Sequence, residues 1–326
     1  MKRNILVGKL LLSGGLLAYL FWKFPLADAL AALQATRFFP VAVAVFILLP
    51  MGFLDGFQVL CMTRLQAIPV SLRDLIRINL TTSFYSLFLP GVLAGGAVKW
   101  YKLSREGKKP AQAAAVVFFN RFLDTFAMVL VGVLFFLPSP VVGELRALKA
   151  AALLLLALLL IAYGLLLAPR LLQAIDQRCA RLPLPRRVLE KQGKLFEALL
   201  RFSRLRFRDH LGLIAIPLLK HGMGVLSFSL LAQSLGLEVS IFQIGWIRSV
   251  ILLLAMLPVS FAGLGVRETS MVFLLHGFGV QPAEALAFSL LYFLQGILPS
   301  LTGGLLELRD FFRKPLSKRS AWAANR

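Results

Sequence analysis

Residues 89–99 read Leu89-Pro90-Gly91-Val92-Leu93-Ala94-Gly95-Gly96-Ala97-Val98-Lys99, and residues 257–267 read Leu257-Pro258-Val259-Ser260-Phe261-Ala262-Gly263-Leu264-Gly265-Val266-Arg267. Leu-Pro, Ala-Gly and Val followed by a basic residue recur at matching places, offset by 168 residues from Pro90 to Pro258. A second match follows each copy, Pro110-Ala111-Gln112-Ala113-Ala114-Ala115 against Pro282-Ala283-Glu284-Ala285-Leu286-Ala287, offset by 172 residues. Two matches in the same order indicate an internal duplication. In a membrane protein, a Gly/Pro-broken apolar segment repeated in both halves points to a transport site.

The composition supports the membrane setting. Hydrophobic residues make up 59% of the 326 and the mean hydropathy is +0.80, well above a soluble domain. Several apolar runs are long enough to cross a bilayer. The net charge of +21 lies in loops and tails, where it suits an anionic inner leaflet better than nucleic acid. Cys61 and Cys179 fall near expected cytoplasmic ends, so free thiols are expected.

Lys2-Arg3 precedes an apolar run over residues 5–22 and sets the N-terminus in the cytoplasm. Ala27-Asp28-Ala29 has the spacing of a signal-peptidase site, but the run before it is long for a signal, so an uncleaved first helix is expected. Further spans are predicted over 39–62, 111–137, 148–167, 211–235 and 283–306. Between them, residues 71–89 form a helix that Pro90-Gly91 ends. The chain after this break reaches Lys99, Lys102, Arg105, Lys108 and Lys109, so the segment returns to the side it came from as a re-entrant hairpin. The second copy descends over 241–257, breaks at Pro258, and returns to His276-Gly277-Phe278-Gly279, a loop without Lys or Arg that suits the outside. Residues 170–209 carry ten or more basic residues and an amphipathic stretch over 188–207 that suits the inner surface.

The expected fold is therefore all-α and polytopic: about six full transmembrane helices plus two re-entrant Gly/Pro-broken hairpins in inverted repeats. One integral membrane domain covers 1–326, with the first repeat at about 71–137, the basic cytoplasmic segment at 170–209 and the second repeat at about 241–306. Both termini are cytoplasmic, because the basic loops agree.

A helix broken at mid-depth leaves backbone N–H and C=O groups unpaired, which is tolerated only within protein or against a water-filled cavity. Candidate anion-binding residues follow: Pro90, Gly91, Gly95, Gly96 and Lys99 in the first copy, and Pro258, Ser260, Gly263, Gly265 and Arg267 in the second. The start of the second half-helix attracts a negative group and Arg267 can grip phosphate in bidentate fashion. The competing reading is a tight helix crossing that uses Gly for packing. Arg121 and Asp124, three residues apart on one helix, either bind a head group or form an internal salt bridge. Arg121 lies roughly 15 Å into its span, where an unpaired charge is costly. Glu268 is a counter-ion for Arg267 or a proton carrier. Asp55, Lys220, His221 and Arg248 are further ionisable residues within apolar segments. No HExxH, paired-Cys, P-loop or nucleophile-elbow motif is present, so neither an enzyme nor a cofactor is expected; a membrane-embedded lipid transferase using Asp or Glu is the remaining enzymatic alternative.

Leu-Pro-x3-Ala-Gly-Gly-x-Val-Lys, then Asn120-Arg121-Phe122-Leu123-Asp124, then Leu-Pro-Val-Ser-Phe-Ala-Gly-Leu-Gly-Val-Arg-Glu resemble the lysylphosphatidylglycerol synthase transmembrane-region family. The family patterns are similar to Glu-Arg-x-x-Asp and Pro-x-Ser-x-Gly-Gly-Leu-Gly-x-Arg-Glu; here Asn120 replaces the acid and Ala262 one Gly. The resemblance implies a flippase half of the kind that moves aminoacylated phospholipid to the outer leaflet, with Arg121, Asp124, Arg267 and Glu268 lining a lipid path between the hairpins. An aminoacyl-transferase domain is missing, so transfer of lysine from tRNA is not expected. The expected function is flipping of an anionic phospholipid or lipid-linked intermediate across the cytoplasmic (inner) membrane. The alternative is a non-catalytic scaffold that docks a lipid-synthesis enzyme. Expected partners are an anionic lipid, the membrane, such an enzyme and further copies of the chain.

Overall fold

A computed structural model describes Gly15 and residues 26–88, 92–139, 145–181, 185–257 and 264–313. The described residues are helical throughout, with no strand. In chain order the helices are α1 (Leu26–Gln34), α2 (Phe38–Phe46), α3 (Leu48–Leu65), α4 (Leu72–Phe88), α5 (Val92–Gly107), α6 (Pro110–Phe136), α7 (Leu145–Leu167), α8 (Pro169–Ala180), α9 (Arg186–Ser203), α10 (Phe207–Ser234), α11 (Ile241–Met256), α12 (Val266–His276) and α13 (Pro282–Arg313).

Among the described residues, five helical stretches are long and apolar enough to cross a membrane: Phe38–Leu65, Pro110–Phe136, Ala147–Leu167, Phe207–Ser234 and Pro282–Phe312. They match five of the six expected spans; the first expected span lies outside the described residues. The first stretch is α2 and α3 joined at Ile47. Helices of this length rise about 30–45 Å, enough to cross the hydrocarbon core. Their exposed faces carry Phe38, Phe39, Phe46, Leu154 and Ile161, as lipid-facing surfaces do. The protein is a multi-pass membrane protein.

Local chemistry sets the boundaries. Ser71 Oγ accepts from the Asp74 N–H at 3.2 Å to start α4. Ser240 and Gln243 cap α11 reciprocally, at 3.2 and 2.9 Å. Pro110 and Pro169 open α6 and α8 at the position where a missing N–H costs least.

Two apolar cores hold the bundle, one towards each end. One gathers Val59, Leu75, Leu103, Phe119, Phe202 and Leu213. The other gathers Phe136, Phe228, Ile244, Trp246, Leu275 and Phe288. The first is the basic end, since α8 and α9 with their arginines attach there: Phe202 stacks on Phe119 at 4.4 Å, and Gln66 Nε2 donates to Ala198 O at 2.8 Å. The amphipathic stretch thus begins at Arg186, and its apolar face docks on α6 rather than only on lipid. Ala29, fully buried, packs in the opposite core.

Contacts at the two ends define the hairpins. Lys109 Nζ, just past α5, donates to Ala67 O at 2.8 Å, just before α4. So α4 and α5 start and finish at the basic end. At the other end, Arg37 N donates to Ser234 O at 2.9 Å, and Trp246 near the start of α11 meets Phe278 just past α12, ring centroids 6.1 Å apart. So α11 and α12 start and finish at the opposite end. The breaks between the arms, residues 89–91 and 258–263, lie outside the described residues.

Candidate functional site

Between the two apolar cores lies a belt of ionisable side chains. Three of the long helices contribute to it: Asp55 on α3 lies between Ala44 and Val59, Asp124 on α6 between Leu123 and Phe136, and Lys220 on α10 between Leu213 and Phe228. Lys220 Nζ donates to Asp55 Oδ1 at 3.1 Å and is ion-paired with Asp124. Lys99 from α5 stands 3.6 Å from Asp55 Oδ2 and donates to Asn120 Oδ1 at 3.2 Å. His221 Nε2 is 3.5 Å from Asp124 Oδ1, and Arg248 Nη1 of α11 is 3.4 Å from His221 Nδ1. Asp55, Asp124, Lys99 and Lys220 are tolerated there because each finds a partner of opposite charge; removing one would leave the other stranded.

The balance is uneven. With His221 neutral, Asp55 and Asp124 match Lys99 and Lys220 in charge, and Arg248 is left over. It is buried at 6% exposure and has no carboxylate partner among the described residues. Gly224 makes room for its guanidinium: a Cβ there would run into it.

Arg248 lines a cavity of about 270 Å³, shared with Arg267, Tyr292, Phe293, Gly296 and Leu87. The cavity therefore joins the descending arm of the second hairpin, the start of its returning arm, the last helix and the end of α4. Arg267 lies over the Phe293 ring, 4.7 Å from its centroid, and pairs with Glu268. Glu268, only 2% exposed, also accepts the Gly265 N–H at 2.7 Å, so its carboxylate holds the start of α12. Gly265 has φ of 81°, a conformation that favours glycine. Gln295 and Ser227, also at the cavity, are spent on each other and on Ala44 O, at 2.6 to 3.2 Å. Arg248 Nε and Arg267 Nε have no hydrogen-bond partner. The charged groups that line this cavity, Arg248 and Arg267, are thus both cationic.

The expected site residues separate into groups. Gly265, Arg267 and Glu268 come together at the start of α12, where Arg267 lines the cavity. Lys99 belongs to the ionisable belt and not, as its place in a basic run suggested, to the basic end. Asp124 is in the belt, but Arg121 is not with it. Arg121 is exposed on the outer face of α6 and forms no ion pair with Asp124, whose partners come from α10. Gly95 is packed on Ser86 and Thr82 of α4, and Gly96 faces Val117 at 3.8 Å, so both serve helix contacts. Pro90, Gly91, Pro258, Ser260 and Gly263 lie outside the described residues.

A family model for the lysylphosphatidylglycerol synthase transmembrane region matches residues 6–304. The chain belongs to that family. Neither a curated protein nor a solved structure gives a significant match. As a lysylphosphatidylglycerol synthase transmembrane-region protein, the chain has a membrane setting tied to lipids, and its buried charges take on meaning within that setting. Asp55, Lys220, His221 and Arg248 were each legible only as a lone ionisable residue. The signal that groups them is depth: each lies near the middle of its apolar segment, where a single charge needs a partner from another helix.

Proposed function

We propose that the protein carries an anionic phospholipid or phosphate-bearing lipid-linked intermediate across the cytoplasmic membrane, its head group passing between the two hairpins and its tails remaining in the bilayer. One observation carries this reading: two arginines with unpartnered donors, Arg248 and Arg267, line one cavity whose walls are mostly apolar. Guanidinium groups match phosphate oxygens in geometry and charge. The basic end is cytoplasmic by the excess of Lys and Arg there. The hairpins open to opposite ends, as inverted repeats of alternating-access carriers do. A scaffold that only docks a lipid-synthesis enzyme would have no use for a buried, cation-lined cavity.

The test is transport by the purified protein in liposomes. Fluorescent phosphatidylglycerol should become accessible to a membrane-impermeant quencher faster in vesicles containing the protein than in protein-free ones. Arg267→Ala, shown to be folded, should slow this to near the protein-free rate. Equal rates for the folded variant and the parent would reject the reading.

A further inference from the structure

Arg248 meets a histidine where a carboxylate would be expected. A guanidinium only donates hydrogen bonds, so Nδ1 of His221, 3.4 Å from Arg248 Nη1, is the accepting, unprotonated nitrogen. The imidazole proton then sits on Nε2, facing Asp124 Oδ1 at 3.5 Å, within ion-pair distance but without hydrogen-bond geometry. A second proton has one place to go, Nδ1. There it would face Arg248, which would turn from the imidazole towards the cavity it already lines, while Nε2–H would be drawn onto Asp124.

Every charged or titratable group around His221 bears on this step. Asp124 faces it from α6, Arg248 from α11 and Lys220 from its own helix. Asp55 of α3 and Lys99 of α5 stand behind Lys220. Helix α2 has no ionisable residue. Tyr292 of α13 and Arg267 of α12, paired with Glu268, lie across the cavity. Protonated His221 beside Arg248 puts two cations face to face; an anion in the cavity relieves that repulsion.

We propose that the cavity between Arg248 and Arg267 binds a phosphate-bearing anion together with one proton, which is taken up at Nδ1 of His221. The inference rests on the lipid-carrier reading for the source of the phosphate, a lipid head group; a free phosphodiester shares the chemistry. Linkage is reciprocal: the anion favours the proton and the proton favours the anion. A proton taken up with cargo on one side and released on the other would give the carrier a direction.

The protein in detergent is titrated with dihexanoyl phosphatidylglycerol, whose phosphodiester does not titrate near neutrality, at about pH 8 and about pH 6, the range in which histidine changes charge. Glycerophosphoglycerol, the same phosphodiester without acyl chains, forms the second arm. The lipid should bind at both pH values, roughly fivefold more tightly at the lower, and binding should draw protons from a weakly buffered solution. His221→Gln should bind equally at both, without proton uptake. Should that variant not fold, proton uptake by the parent decides alone. Glycerophosphoglycerol binding as tightly as the lipid, with the same proton uptake, would keep the proton link and assign the site to a free phosphodiester. Lipid binding that is the same at both pH values and takes up no proton would overturn the proton link and leave the lipid reading standing. No saturable binding of either compound would overturn both.

Discussion

Lys220 of α10 and Asp124 of α6, 96 residues apart in sequence, form an ion pair in the belt between the two apolar cores, and Asp55 of α3 closes on the same ammonium. Three helices that apolar packing alone would let slide are thereby fixed in depth. Removing one member leaves charge stranded. Asp124→Ala and Lys220→Ala should each lower stability by about 3–5 kcal/mol. The double variant should lose less than the sum, since the residues are in direct contact. Thermal unfolding of the four proteins in one detergent measures this, and strictly additive losses would mean the pair is not coupled.

Gly224→Ala separates stability from binding. Alanine favours a helix interior over glycine by roughly 1 kcal/mol. Its methyl would, however, enter the space of the Arg248 guanidinium, with Nε at 3.1 Å. The expected outcome is unchanged thermal stability with lipid retention reduced several-fold. Unchanged retention would show that Arg248 need not hold its observed position.

At the crossing of α13 with α4, Gly303 faces backbone. A Cβ there would meet the Leu80 carbonyl and lie 2.9 Å from Thr81 N. Neither atom can move without shifting a helix. Gly303→Ala should cost about 1–3 kcal/mol, the range for overpacking, and Gly303→Val more. Gly296→Ala, with open space around its Cβ position, is the control and should leave the unfolding temperature near that of the parent.

The pairs at the basic end should contribute little. Arg77–Asp310 and Lys102–Glu307 join the first hairpin to α13, and Arg77 and Asp310 are 34% and 35% exposed at the basic end. Partly solvated pairs are usually worth below about 1 kcal/mol. Arg77→Gln should therefore barely shift the unfolding temperature. A loss comparable to that of Lys220→Ala would show that these pairs are structural members equal to the belt.

Much of the fold could be read from residue order. Apolar runs marked five of the spans and the distribution of Lys and Arg marked the basic end, because each signal is local. The pairing of charges was not legible in the same way. Arg121 and Asp124 share a helix face by spacing, yet α6 is apolar nearly all round, so no stripe showed which way it turns. Packing against α10 and α11 decided it, turning Asp124 inward and Arg121 out. Asp55 and Lys220 are 165 residues apart, beyond any local pattern. For Lys99 the signal was present in the repeat itself: it stands where Arg267 stands in the second copy, and both lie inside, against the helix that follows each hairpin.

On the proposed function, the cavity beside Arg248 and Arg267 holds an anionic lipid head group. Native mass spectrometry of gently extracted protein, followed by identification of the lipids that stay bound, tests it most directly. One enriched anionic lipid, lost in Arg267→Ala, is the predicted result. Bulk phospholipid only, retained equally by the parent and Arg267→Ala, would contradict it.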